Sequence, residues 1–335
     1  MTLDLTRDTR RRFLAASAGG LALAAAGPLA QAQTTTNRLV KVMLGFPPGG
    51  SADVVARLMA ERIRTNFSSN VIVENKPGGG GRTVLELARN GDGDNVVVVL
   101  SPTGMLTIFP HVYRNLGYDT FRDYTGVGSA ATFVTAVTLG AGVPDSVKTL
   151  RDLIEWARKN PSKASYGSPG SGSAMHFTGT MLERLAGGNM THVPYKGAAP
   201  MIQDLLGGQI PIGMVPIGDA VPQARAGKLR VVATSGAQRS RFLPDVPTAR
   251  ESGFADIVTE DYFAFFVPRR TPADVAERLS AVIGDAARSP EMVERLAQLG
   301  LEARATTPAQ INAIVRTDFD NWAPIVKASG FTAED

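Results

Sequence analysis

The chain predicts a two-domain α/β protein, with two mixed sheets flanked by helices and a ligand cleft between the domains. Three observations carry that expectation. Apolar β-branched runs alternate with stretches of helical period, the order that builds parallel βαβ units. A strand, a Gly/Ser loop and a helix start follow one another twice, once in each half of the sequence. The length of 335 residues suits two domains at roughly 150 residues each.

Residues 1–32 read as an export signal and are set aside. Thr9-Arg10-Arg11-Arg12-Phe13-Leu14 fits the twin-arginine pattern, an Ala/Leu/Gly run follows, and Ala30-Gln31-Ala32 is a small-x-small cleavage site. A membrane anchor fits less well, because the run is short and no stop-transfer charges follow it. Thr34 to Asn37 is a polar leader. Leu39 to Leu44 then reads as a strand, Gly45 to Ser51 as a glycine loop, and Val54, Val55, Leu58, Met59 and Ile63 as one helix face. Glycine lets backbone amides approach a ligand, and first-turn amides lack partners at the positive dipole end. Gly49 and Gly50 are therefore candidates to face a carboxylate or other small anion.

Val71 to Asn75 is a second strand, closed by Lys76-Pro77 and four glycines that are either a close-approach loop or a plain turn. Val96 to Leu100, continuously β-branched, reads as a strand covered on both faces. Tyr124 to Leu139 is extended and is the expected first crossing between domains. Leu150 to Lys159 is a helix, and Ser165 to Ser173 repeats the strand and Gly/Ser loop ahead of a helix from Ala174 to Leu185. Thr191 to Tyr195, Ile210 to Val215 and Leu229 to Ala233 are further strands, with helices between them. The return crossing is expected between Gly236 and Tyr262, before the apolar strand Tyr262 to Val267. Thr271-Pro272, Ser289-Pro290 and Thr307-Pro308 each place an N-cap residue before a first-turn proline in a helical tail. The expected domains are 33–131 with 259–335, and 132–258 with its crossing segments, forming a hinged clamp.

Several chemistries are excluded. Without cysteine there is no disulfide, thiolate nucleophile or Cys-based metal site. His111, His176 and His192 show no metal-ligand spacing, so no metal is expected. Neither a phosphate-binding P-loop nor an ordered dinucleotide fingerprint follows a strand, and no cofactor is expected. Removing residues 1–32 takes four of the 35 basic and two of the 31 acidic residues, leaving net +2 and no basic patch for nucleic acid. The Ser-rich loop Ser168 to Ser173 raises one enzymatic alternative, a secreted serine hydrolase using Ser171 or Ser173 with His176. The loop lacks the G-x-S-x-G frame, and the reading favoured is not an enzyme.

Six motifs together resemble one family: Phe46-Pro47-Pro48-Gly49-Gly50, Val73 to Gly78, His192 to Gly197, Asp204 to Gln209, Ala226 to Arg230 and Leu243 to Thr248. In order and spacing they are similar to the Bug extracytoplasmic solute receptors, the binding-protein component of tripartite tricarboxylate transporters. The resemblance covers essentially all of the mature chain. It implies a periplasmic-binding-protein fold of type II-like form, a periplasmic location, and a soluble monomer holding a small organic anion in its cleft. It also implies membrane subunits of a transporter, or a sensor kinase, as partners. Backbone amides, hydroxyls and ordered waters are implied as the means of binding.

Carried over position by position, the resemblance makes Phe46, Pro48, Gly49, Gly50 and Ser51 the first ligand loop. Ser101 and Thr103 form a polar loop, Ser168, Ser171, Gly172, Ser173 and His176 the second-domain loop, and Tyr195 and Lys196 a third contact. Asp53 is expected to organise the first loop and its waters rather than touch ligand, with simple helix capping as the other reading. The chain departs from the family where many relatives carry an acidic residue, here Val215, often followed by Asn, here Pro216. Asp219, four positions on, is the candidate replacement, and no particular ligand is transferred.

Overall fold

The computed structural model describes residues 37–333, so the export-signal expectation lies outside the described residues. Among the described residues ten strands are hydrogen-bonded together, eight of them in one path: β1 (Val40–Leu44), β2 (Val71–Asn75), β3 (Val96–Pro102), β4 (Tyr124–Leu139), β5 (Ser165–Ser168), β6 (Thr191–Pro194), β7 (Ile212–Pro216), β8 (Arg230–Thr234), β9 (Glu260–Pro268) and β10 (Glu302–Ala303). Their order is β2-β1-β3-β9-β4-β7-β5-β6, with β8 and β10 also on β4. β1 pairs in parallel with β2 and β3, and β5 with β6 and β7, while β9 and β4 run antiparallel to their neighbours.

The two half-sheets share β4. Its residues Tyr124 to Val134 pair with β9, and Thr135 to Leu139 pair with β7. One 16-residue strand thus belongs to both lobes of a two-lobed α/β fold. β3 is buried along its whole length, as a β-branched run covered on both faces requires. Helices cover the sheets through apolar stripes, such as Val55, Met59 and Ile63 of the Ser51–Asn66 helix, all fully buried.

The tail helices begin on the expected signals at two of three places. Ser289 caps the Pro290–Gln298 helix, and Thr307 forms a capping box with Gln310 ahead of Pro308–Ser329. The third differs: the helix is Ala273–Arg288 and Pro272 itself is the N-cap, its ψ of 141 being extended rather than helical. Thr271 therefore lies outside the helix.

The four-glycine stretch is a close-approach element. Gly78 to Gly81 all have positive φ, and Gly80 packs on Gly170 so tightly that a Cβ on Gly170 would lie 2.6 Å from the Gly80 Cα. A glycine from each lobe makes that contact.

Candidate functional site

Four helix N-termini converge on one cavity between the lobes. The Ser51–Asn66 helix brings Gly50, Ser51 and Ala52, and the Ala174–Leu185 helix brings Met175. The Ala198–Leu206 helix adds Ala198 and Ala199, and the Ile217–Arg225 helix adds Pro216 and Asp219. Three of these helices have no side-chain cap at their N-cap residues Gly50, Gly197 and Pro216. Their dipoles contribute positive potential at the cavity, which at the Ser51 end meets the Asp219 carboxylate bonded to the Ser51 amide. The rest of the lining is apolar, led by Phe46, Pro102, Phe133, Met175 and Phe263, and no Lys, Arg or His takes part. The cavity measures about 40 Å³.

The first loop is held from below. Buried Asp53 accepts from the Gly49 amide at 3.1 Å, Asn75 Nδ2 at 2.9 Å and Arg57 Nε at 3.0 Å. Burial works against its charge, but the Arg57, Asn75 and Gly49 hydrogen bonds hold its carboxyl below the usual range. Asn75 also donates to the Phe46 carbonyl, fixing the other side of the loop. Ser51 links the lobes: its amide donates to Asp219 Oδ1 at 2.9 Å and its hydroxyl to Oδ2 at 2.7 Å. Burial pushes the Asp219 carboxyl up, with the Ser51 hydrogen bonds pulling the other way.

The second loop is ordered by its own polar atoms. Ser173 Oγ donates to Gly170 O at 2.8 Å and caps the next helix by accepting from the His176 amide at 3.2 Å. Gly172, at φ 77, donates its amide to His176 Nδ1 at 3.1 Å. The His176 ring therefore serves the loop backbone, not Ser171 or Ser173. The serine bonded to an imidazole is Ser168, 2.8 Å from His192 Nε2. His176 and His192 stack with centroids 4.0 Å apart. Burial, and for His176 also its neighbour's charge, pushes them down to about 3 and about 4.

The expected site residues separate into groups. Phe46, Gly50, Ser51 and Asp219 line the interlobe cavity. Ser173 lines an adjoining space of about 20 Å³ that shares Phe46, Pro102, Pro169 and Met175. Ser171, Tyr195 and Lys196 instead line a broader pocket of about 470 Å³ with Gly80, Arg82 and Phe331. There Tyr195 donates its hydroxyl to Asp204 at 2.8 Å. Pro48 and Gly49 are exposed. Ser101 and Thr103 are buried and engaged, Ser101 with Pro102 O and Thr103 with Asp261 at 2.6 Å.

Asp261 was not legible as a site residue. It lies at the start of β9, accepts from Thr103 Oγ1 and from the Gly104 and Tyr262 amides, and lines the adjoining space. Burial pushes its carboxyl up to about 6. Phe133 and Phe263, stacked at 4.3 Å, form an apolar wall that strand periodicity alone marks only as core.

Among the described residues no helix is long and apolar enough to cross a membrane, and no cluster of potential metal ligands occurs. The tripartite tricarboxylate transporter family receptor pattern matches residues 55–331. The chain is 31% identical to the UPF0065 protein in the TAR-I ttuE-ttuC' intergenic region of Agrobacterium vitis, over 90% of this chain and 88% of that protein. In structure it is similar to the periplasmic binding protein BugD, at TM-score 0.83 and 30% identity, covering 89% of this chain and all of that one. It is also similar to Rpa4515 of R. palustris with adipate, at TM-score 0.82, 27% identity and coverage of 88% and 98%. MatC of Rhodopseudomonas palustris with bound malate follows at TM-score 0.80, 26% identity and coverage of 86% and 99%. The chain belongs to the tripartite tricarboxylate transporter receptor family, with the fold of the periplasmic binding proteins.

Proposed function

We propose that this protein is an extracytoplasmic receptor that captures a small organic carboxylate between its lobes. The observation that carries the reading is the convergence of four helix N-termini, three without side-chain caps, on a cavity whose walls bring no cationic side chain. Such a site holds an anion by amides and dipoles alone. Two similar structures hold adipate and malate, which supports a carboxylate as the ligand's charged group.

In this reading residues 33–131 with 259–335 and residues 132–258 are the two jaws. The hinge lies where Thr135, Ser235 and Thr259 meet. There the Thr135 amide donates to Ser235 Oγ at 2.9 Å, and Ser235 Oγ donates to Thr259 O at 2.8 Å. Opening admits the anion, and closure brings Ser51 and Met175 against it and presents a joint surface to a membrane partner. Export through the 1–32 signal places the receptor in the periplasm, where transporter subunits or a sensor kinase would read the closed form. The serines of the second loop act as caps and loop ties, so no hydrolytic step is assigned to them.

A thermal-shift panel of mono-, di- and tricarboxylates tests the proposal. A ligand at a hundred times its Kd adds about 2.7 kcal/mol of apparent stability, which a melting curve resolves. A panel without a single shift, or turnover of an ester at the Ser168–Ser173 loop, counts against it.

A further inference from the structure

The Asp219 carboxylate already occupies one of the four helix N-termini that face the cavity. Both of its oxygens are engaged by Ser51, one by the amide at 2.9 Å and one by the hydroxyl at 2.7 Å. A carboxylate bonded in this way is what an anionic ligand would supply at the same place. Of the cavity's lining residues only Ser51 and Asp219 carry polar side chains, and the remaining walls are Phe, Met, Pro, Ala and Gly50. On the Ala174–Leu185 helix Ser173 caps the His176 amide, and Met175 lines the cavity from the first turn.

We propose that Asp219 sets the ligand class, so that the cleft takes a monocarboxylate with an apolar body and rejects dicarboxylates. The inference rests on the carboxylate-receptor reading above. The single carboxylate meets the amides at the Met175 and Ala198 ends, and the body packs on Phe46, Phe133 and Phe263. A second carboxylate directed at the Ser51 end meets Asp219, a like charge with no cationic side chain among the lining residues to offset it. Juxtaposed like charges in a desolvated site weaken binding by at least about tenfold.

Titration calorimetry on the purified protein tests this with length-matched pairs: hexanoate and adipate, octanoate and suberate, benzoate and terephthalate, with malate and citrate added. The expected result is a monoacid as the tightest ligand, at least about tenfold tighter than its diacid. In Asp219→Asn that ratio shrinks to about threefold or less, as expected when a like charge is removed. Asp219→Ser takes its place if circular dichroism shows Asp219→Asn unfolded. A di- or tricarboxylate binding more tightly than every monoacid overturns the inference and leaves the carboxylate reading standing. A monoacid preference that the variant does not move overturns the role of Asp219. No binding by any acid overturns the carboxylate reading itself and this inference with it.

Discussion

Asn75 Nδ2 lies 2.9 Å from Asp53 Oδ1 and 2.9 Å from the Phe46 carbonyl, so the end of β2 fastens both sides of the first glycine loop. Removing that amide takes its hydrogen bond from the Phe46 carbonyl and one of two from Asp53 Oδ1, which keeps Arg57 Nη2 at 3.0 Å. Asn75→Ala is expected to cost about 1–3 kcal/mol in denaturant unfolding and to weaken carboxylate binding, although Asn75 does not line the cavity. Unchanged affinity in a folded variant would show that the loop holds its shape without this tie.

Gly50 has φ −84 and ψ 168, an extended conformation open to any residue, and a Cβ there first meets Asp219 Oδ1 at 3.5 Å. Gly50→Val therefore keeps the fold while its methyl groups enter the space beside the Ser51 amide. Calorimetry should find binding lost, with a melting temperature close to that of the parent. Normal binding would remove the cavity from the account.

The stacked imidazoles predict an acid-sensitive second loop. His176 and His192 sit at about 3 and about 4 against an unperturbed 6.5. The unfolded chain therefore takes up these protons first. Their contribution to stability is complete above 6.5 and is lost as pH falls toward the folded values. Asp261 and Asp318, both raised to about 6, act in the opposite sense: they favour the folded state as pH falls through 6. A variant comparison separates the two. His192→Gln is less stable than the parent at pH 7, and the gap should narrow by about 2 kcal/mol at pH 4.5, at ~1.4 kcal/mol per unit of pKa difference. A constant gap across that window would mean that His192 is not held neutral by burial.

Ser173 is a helix cap here, accepting from the His176 amide while donating to Gly170 O. Ser173→Ala should cost about 1 kcal/mol in thermal or denaturant melts and loosen ligand binding modestly. Ester hydrolysis by the parent that vanishes in this variant would revive the hydrolase alternative.

Local signals foretold the scaffold well. The β-branched Val96 to Leu100, the Ser289 and Thr307 caps and the extended Tyr124 to Leu139 stretch are features whose physics is confined to a few neighbouring residues. The twice-used strand, glycine loop and helix start led to the Ser51 and Ala174 helices, both of which open on the cavity or its adjoining space. Convergence of the Ala198 and Ile217 helices on the same point was not legible, because it depends on how β7 and β5 pair. The Thr103–Asp261 bond spans 158 residues and leaves no local trace. Lys196 and Tyr195 look like ligand contacts in a row of motifs, yet the turn after β6 carries them to the broader pocket with Arg82. The four glycines at 78–81 could be read as a mere turn, since their reason, contact with Gly170, lies in the other lobe.

The central claim is that a carboxylate is held between the lobes by helix N-termini. A crystal structure of the protein with the tightest acid from the panel tests it most directly. The expected result is a carboxylate within hydrogen-bond distance of the amides at Met175 and Ala198, with the ligand body between Phe46 and Phe263. A ligand bound instead in the broader pocket beside Arg82 and Lys196, with the interlobe cavity unchanged, would contradict it.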